Sequence, residues 1–304
     1  MRDTARPYTQ SRLATYLQCP RLFEYTYVQD VRTPDRTERY LIQGNVFHGT
    51  VERVCGSVDG DTAAASIHDL AMATFPAVWA SEVDPGEFKS RAQQEYYRRQ
   101  CAAALEEYFD PESGRGVEHA RQSVAVEEWL ETTVAGIPVA GYVDNVLLTD
   151  AGPHILDYKR SRGTIVSSGT ADRLAGHLDG EAYEPGRVKS AIQAALYTAA
   201  VRDSAFCEPG DDVRFSYYVY LYDDTFEPAG EGYTVSARGK QYEMTDIVRD
   251  HEDTIWALID AAADGIRGEA YEPEPWAFIL DKTCADCEYR RMCPDYLTTE
   301  VERL

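Results

Sequence analysis

Two carboxylates and a lysine carry the first chemical signal. Asp157 and Lys159 stand two apart in a short run, residues 155–159, that is otherwise apolar. A strand has a period of two, so both side chains project from one face. A carboxylate beside an ammonium can hold a hard cation and a water. Magnesium and manganese take oxygen ligands, and a lysine can position or deprotonate the water, or steady charge on a phosphate. Asp144, near the end of the strand before, supplies a second carboxylate. Taken alone, D-x-K reads as a surface ion pair on a strand, and Asp144 as a strand-end turn residue. Glu127 and Glu128 lie one strand earlier and read as solvated strand charges; the alternative is that one of them joins a metal shell. Cys284, Cys287 and Cys293 form a C-x2-C-x5-C group, a spacing suited to metal. Cys55, Cys101 and Cys207 lack such spacing and read as buried small apolar residues.

These groups need elements to position them. Residues 8–29 read as helical, with Thr9 or Ser11 as cap and Pro20 in the first turn of a second piece. Residues 38–57 read as a helix with Leu41, Val46, Phe47 and Val51 on one side and His48 among them. Residues 61–109 continue helical, until the breaker at 111–116. Strands are expected at 124–134, 137–148 and 155–159, and residues 161–187 as a long polar loop or short helical excursion. A helix follows at 189–202, on which Gln193 and Tyr197, four apart, share a face. Residues 213–221 alternate as one long strand. Residues 242–267 read as one helix, ended by Gly268. This order predicts an α/β protein in three regions: a helical one at 1–120, a strand-rich core at 121–270 and a cysteine segment at 271–304.

Composition bounds the rest. A length of 304 residues allows two ordinary domains or one large decorated one. No run of eighteen apolar residues occurs, so no membrane span is expected. Residues 1–12 hold no apolar stretch of the secretory kind, and a cytoplasmic location is the expectation. The chain carries 52 acids against 30 bases, a net charge of −22, and only five of the bases are lysines. The acids are spread along the chain rather than gathered in a tail. That pattern favours adaptation to molar salt over a basic partner. No phosphate-binding loop of the G-x-x-x-x-G-K-[ST] kind is present.

Four short patterns in order give these residues a context. Gly44 and His48 form G-x-x-x-H on the early helix; Gly141 and Asp144 form G-x-x-D; Asp157 and Lys159 form D-x-K; Gln193 and Tyr197 form Q-x-x-x-Y. The order resembles the PD-(D/E)XK nuclease superfamily, in particular its RecB-like branch. The 33 residues between Lys159 and Gln193 are long for that pattern. Cys19, before Pro20, looks like the leading cysteine of the iron–sulfur members, with Cys284, Cys287 and Cys293 as the other three. The resemblance implies a restriction-endonuclease-like core: a mixed central sheet flanked by helices, with the cysteine segment packed back on the N-terminal region. It implies Mg2+ or Mn2+ held by Asp144, Asp157 and the Tyr158 carbonyl, with His48 joining or supporting the shell. Lys159 would activate the water, and Gln193 and Tyr197 would orient the acid–lysine strand or touch the nucleic-acid backbone. Cys19, Cys284, Cys287 and Cys293 would hold a 4Fe–4S cluster, with zinc as the alternative. The implied activity is a DNA exonuclease on single strands or ends, in repair and recombination or in CRISPR spacer acquisition, with a helicase or a CRISPR integrase as partner. The alternatives are a catalytically inactive DNA-binding scaffold and an acidic zinc-binding interaction protein.

Overall fold

The computed structural model describes residues 6–32, 39–230 and 232–302. It opens with β1 (Tyr8–Thr9), α1 (Gln10–Gln18), α2 (Pro20–Phe23) and a π-helical turn at Glu24–Val28. Thr9 caps α1 by accepting from the Arg12 backbone N–H, and Pro20 starts α2, where no N–H is needed. Next come α3 (Arg39–Cys55), α4 (Ala64–Glu82), α5 (Arg91–Tyr108) and α6 (Arg115–Gln122). The strands β2 (Ser123–Val134), β3 (Ile137–Thr149) and β4 (Gly152–Lys159) follow as a meander. A crossover of α7 (Ser168–Ala171), α8 (Arg173–Leu178) and α9 (Pro185–Arg202) leads to β5 (Arg214–Ala229) and β6 (Gly232–Glu243). The chain ends in α10 (Thr245–Asp250), α11 (Glu252–Arg267), α12 (Trp276–Lys282) and α13 (Pro294–Glu302).

The six strands form one mixed sheet, ordered β1, β3, β4, β5, β6, with β2 also against β3. β1 runs parallel to β3 and β4 parallel to β5; the other pairs are antiparallel. Alternation along β5 divides two cores. Phe215, Tyr217 and Val219 face α9 and α11, while Tyr218 and Tyr220 face the layer of α3 to α6. α9 lies between the sheet and α1 and α11, so twelve of its residues are buried. This is the expected mixed sheet flanked by helices.

Several expected boundaries differ. The helical stretch at 61–109 is two helices, broken where Asp84 accepts from the Gly86 N–H and Ser90 caps α5. The breaker at 111–116 is a tight turn on the Asp110 carboxylate, and α6 follows it without having been expected. α9 begins at Pro185, four residues early, inside what was read as loop. β5 runs on to Ala229, and β6 was missed altogether. β6 is half-exposed, with Thr234, Ser236, Arg238 and Lys240 outward, so no apolar period marks it. Tyr242 therefore lies in a strand, and the helix expected at 242–267 is two, parted at His251. Cys207, expected buried, is half-exposed in a loop; Cys55 and Cys101 are buried as expected. Among the described residues, no helix is long and apolar enough to cross a membrane.

Candidate active site

The β4 strand carries the centre of the site. Asp157 is fully buried, and its Oδ2 accepts from Gln193 Nε2 at 2.5 Å. Its Oδ1 lies 2.5 Å from Lys159 Nζ, too oblique for a hydrogen bond, and takes none from any other group. Gln193 is held in turn: the Tyr217 hydroxyl donates to its Oε1 at 3.4 Å and to the Ser190 carbonyl at 2.7 Å. Tyr217 also offers its ring face to Lys159 Nζ, 5.4 Å from the centroid. Tyr217 was read from sequence only as an alternating strand residue, and its type gave no reason to single it out.

Asp144 enters from β3. Val143 and Val146, three apart, face the same core, so β3 slips out of its period of two across Asp144. Asp144 Oδ2 accepts the Tyr158 backbone N–H at 2.8 Å. Above it on α3, His48 Nε2 stands 3.1 Å from the Tyr158 carbonyl. A carbonyl only accepts, so Nε2 carries the proton and Nδ1 points at the acids. His48 Nδ1 lies 3.5 Å from both Asp144 Oδ2 and Glu127 Oε1. Among the described residues, His48, Glu127 and Asp144 form the one group of three whose ligand atoms lie within 4.8 Å of one another. Glu127 was weighed from sequence and set aside as a solvated charge. Its backbone has φ +48°, a left-handed conformation rare outside glycine, which turns the carboxylate inward.

The electrostatics follow from this crowding. Burial first, then the charge of Asp157, pushes the Asp144 carboxyl well above the usual carboxylate range. Burial would lower His48, but Asp144, Glu127 and Asp157 outweigh it and lift the imidazole to about 9. The buried Asp157 and the half-buried Asp144 repel one another, and a bound cation relieves that crowding. The donor set of carboxylates, imidazole and carbonyl suits magnesium or manganese.

Two glycines of the patterns differ in role. At Gly141 a Cβ would lie 2.6 Å from Cε1 of Tyr197, so the Tyr197 ring needs the bare backbone there. At Gly44 a Cβ would meet only the Tyr220 hydroxyl at 4.0 Å, so nothing there is sterically required. Gly44 lines an open cleft together with His48, Glu127, Lys159, Arg160 and Tyr220.

The four cysteines lie far from this cleft and close to one another. Cys19 sits between α1 and α2, and Cys284, Cys287 and Cys293 in the turns between α12 and α13. All four line one small cavity beside Tyr25 and Trp276. The backbone N–H groups of Arg21 and Leu22 serve the Cys19 sulfur, and those of Tyr289 and Arg290 serve Cys287. Burial is the larger influence and pushes the thiols of Cys19 and Cys284 up to about 11 and about 12. Arg21 ties this corner together through Asp295 at 3.0 Å, as does Tyr183, whose hydroxyl donates to the Gln18 carbonyl at 2.5 Å and meets the Thr283 hydroxyl.

A mixed sheet flanked by helices, with an acid–lysine pair at a strand end and a second acid on the neighbouring strand, defines a nuclease class. Residues 7–294 match the family described as the PD-(D/E)XK nuclease superfamily, and the chain belongs to it. A crystal structure of a candidate exonuclease from Eubacterium rectale is similar, with a TM-score of 0.50 at 11% identity. The match covers 88% of this chain and 83% of that one, and at this identity it speaks to the fold. No curated protein matches the sequence.

Proposed function

We propose that the chain is a metal-dependent DNA exonuclease of the RecB-like type, hydrolysing phosphodiester bonds in single strands or at DNA ends. The observation that carries this is the meeting of His48, Glu127 and Asp144 with the Asp157–Lys159 pair at the end of β4. Mg2+ or Mn2+ would be held by Asp144, Asp157 and His48, with Glu127 and the second lone pair of the Tyr158 carbonyl within the same cleft. Bound there, the ion would polarise a phosphoryl oxygen and acidify water. The chain's own residues do the rest. Gln193, braced by Tyr217, fixes Asp157. Asp157 keeps the Lys159 ammonium in place, where it orients the attacking water and steadies charge growing on the phosphate. The Tyr158 carbonyl holds the Nε2 proton, so Nδ1, protonated among the acids without metal, is the nitrogen that would give up its proton to an ion.

Cys19, Cys284, Cys287 and Cys293 would hold a 4Fe–4S cluster bracing the two ends of the chain. Backbone N–H groups aimed at sulfur suit a cluster thiolate. Tetrahedral zinc is the alternative occupant of the same four thiolates. The setting would be repair and recombination, or CRISPR spacer acquisition, with a helicase or integrase as partner. The added layer of α4 to α6 favours repair.

The test is iron and zinc content of anaerobically purified protein, then cleavage of labelled single-stranded DNA with manganese, for wild type and Lys159→Ala. Brown protein with about four irons, cutting only when Lys159 is present, is the expected result. Brown protein that never cuts would leave a DNA-holding scaffold. Colourless zinc protein that never cuts would remove both claims.

A further inference from the structure

The chain has 52 acids and five lysines, yet three of those lysines gather at one end of the sheet. Lys189 lies on α9 one turn before Gln193, on the stripe that continues to Tyr197, and feels the charges of Lys159 and Asp157. Lys240 stands in register with Lys159. Lys159 pairs with Val219 on β5, and Val219 pairs with Lys240 on β6. Residues directly opposite one another in a sheet share a face. The Lys159 and Lys240 backbones therefore stand two strands apart, about 10 Å, with their side chains on one side.

Aromatic rings fill the row between the cations. Lys159 Nζ lies over Tyr217, while Lys240 Nζ lies 5.1 Å over Tyr242 and 4.9 Å over Tyr222. The guanidinium of Arg162, three residues past Lys159, caps the other end at 5.9 Å from Tyr222. Tyr222 is 37% exposed. It owes that position to a register shift between Val219 and Asp223, after which Tyr220 and Leu221 both enter the opposite core. Among the described residues, no carboxylate forms an ion pair with Lys189, Lys240 or Arg162. In a chain so rich in acid, three cations without a carboxylate partner among the described residues thus stand around Lys159 and Tyr222.

We infer that Lys189, Lys240 and Arg162, with Tyr222, form a track that seats an unpaired nucleic-acid strand and leads it to Asp157 and Lys159. As Lys240 and Arg162 turn from the Tyr222 ring to successive phosphates, the partly exposed ring is freed to stack on a base. An exposed ring is open to a base only when that base is unpaired, which selects a single strand over a duplex. The acidic remainder of the surface repels phosphate and confines the strand to this row. The inference rests on the nuclease reading and names its substrate path.

The test reads binding without cleavage. Fluorescein-labelled oligo-dT is titrated in EDTA at several salt concentrations, with the intact chain and with Lys240→Ala, Tyr222→Ala and Lys89→Ala. Lys240→Ala should weaken binding and flatten the slope of log K against log salt by about 0.7, one phosphate contact on a single strand. Tyr222→Ala should weaken binding about five- to 150-fold with the slope unchanged, the loss of one base stack. Lys89, at the start of α5 and away from the row, should bind as wild type. Lys240→Arg should restore binding, and circular-dichroism melts check that each variant folds. Wild-type affinities and slopes in both Lys240→Ala and Tyr222→Ala would overturn the track, as would equal binding of a duplex. A protein that binds through these residues yet never cuts with manganese keeps the track and loses the nuclease reading.

Discussion

Glu127 and Glu128 are the same residue type on the same strand, and only one of them reaches the site. No property of the side chain separates them; as strand neighbours they face opposite sides, and Glu127 also holds a left-handed backbone. Such conformations cost about 1–3 kcal/mol and persist where surroundings enforce them. Glu127→Gln should raise the manganese concentration needed for half-maximal cleavage about tenfold, the scale of losing a group that supports a metal ligand. Glu128→Gln should leave it unchanged. The motif residues His48, Asp144, Asp157, Lys159 and Gln193 were legible because their types are uncommon together in that order. Glu127 and Tyr217 were not, because their roles depend on a dihedral and on a hydrogen bond made across the fold. A separate prediction concerns His119, buried in α6 with its Nδ1 2.9 Å from the Tyr108 hydroxyl. Burial first, then His154 and Arg115, holds its imidazole down to about 3. Unfolding frees it to titrate near 6.5. Its contribution to stability is therefore complete above about pH 6.5 and is lost as the pH falls toward 3, by up to about 1.4 kcal/mol per pH unit. Urea denaturation at pH 7 and pH 5 should show a smaller drop for His119→Gln than for wild type.

At the scale of elements, Gly141 and Tyr197 couple two of the four sequence patterns. The ring on α9 rests where β3 has no side chain, which holds the α9 stripe of Lys189, Gln193 and Tyr197 against the sheet beside β4. Gly141→Ala should destabilise the chain by about 1–3 kcal/mol, the usual range for overpacking. Tyr197→Ala placed in the same chain should recover part of that loss in urea denaturation. Full additivity of the two changes would contradict the coupling. The elements read correctly from sequence were those with a clean period, such as α3 and the first half of β5. β6 was illegible because half its side chains face water and its apolar residues are sparse. α6 was illegible because Gly116 and the turn before it argue against a helix, and tertiary burial of Val117 and Ala120 overrides them. The four-residue contribution of Pro185 to Val188 to α9 went unseen because Gly186 reads as loop; here it packs on Thr164.

At the scale of the whole molecule, a charge of −22 must coexist with a nucleic-acid substrate. Screening shortens the reach of that charge from about 10 Å at 0.1 M salt to about 3 Å at 1 M. The same salt weakens each cation–phosphate contact, so binding then leans on the metal and on base stacking; carried by these, cleavage of single-stranded DNA should survive molar KCl. Loss of activity above a few tenths molar, with an unchanged circular-dichroism spectrum, would contradict this. The α/β class and the flanking of the sheet were legible from the order of helices and strands. The joining of the chain ends was not legible from periodicity, since it rests on single contacts such as the Tyr16 hydroxyl on the Ala270 carbonyl, 254 residues apart. That contact has a consequence for biosynthesis. α1 leaves a ribosome well before its packing partners α9 and α11 and the cysteines that meet Cys19. At about 5–20 residues per second, α1 waits some tens of seconds without its neighbours. A helix made before the sheet is thus docked only after most of it, and it stays exposed to proteases and chaperones until α9 and α11 have emerged.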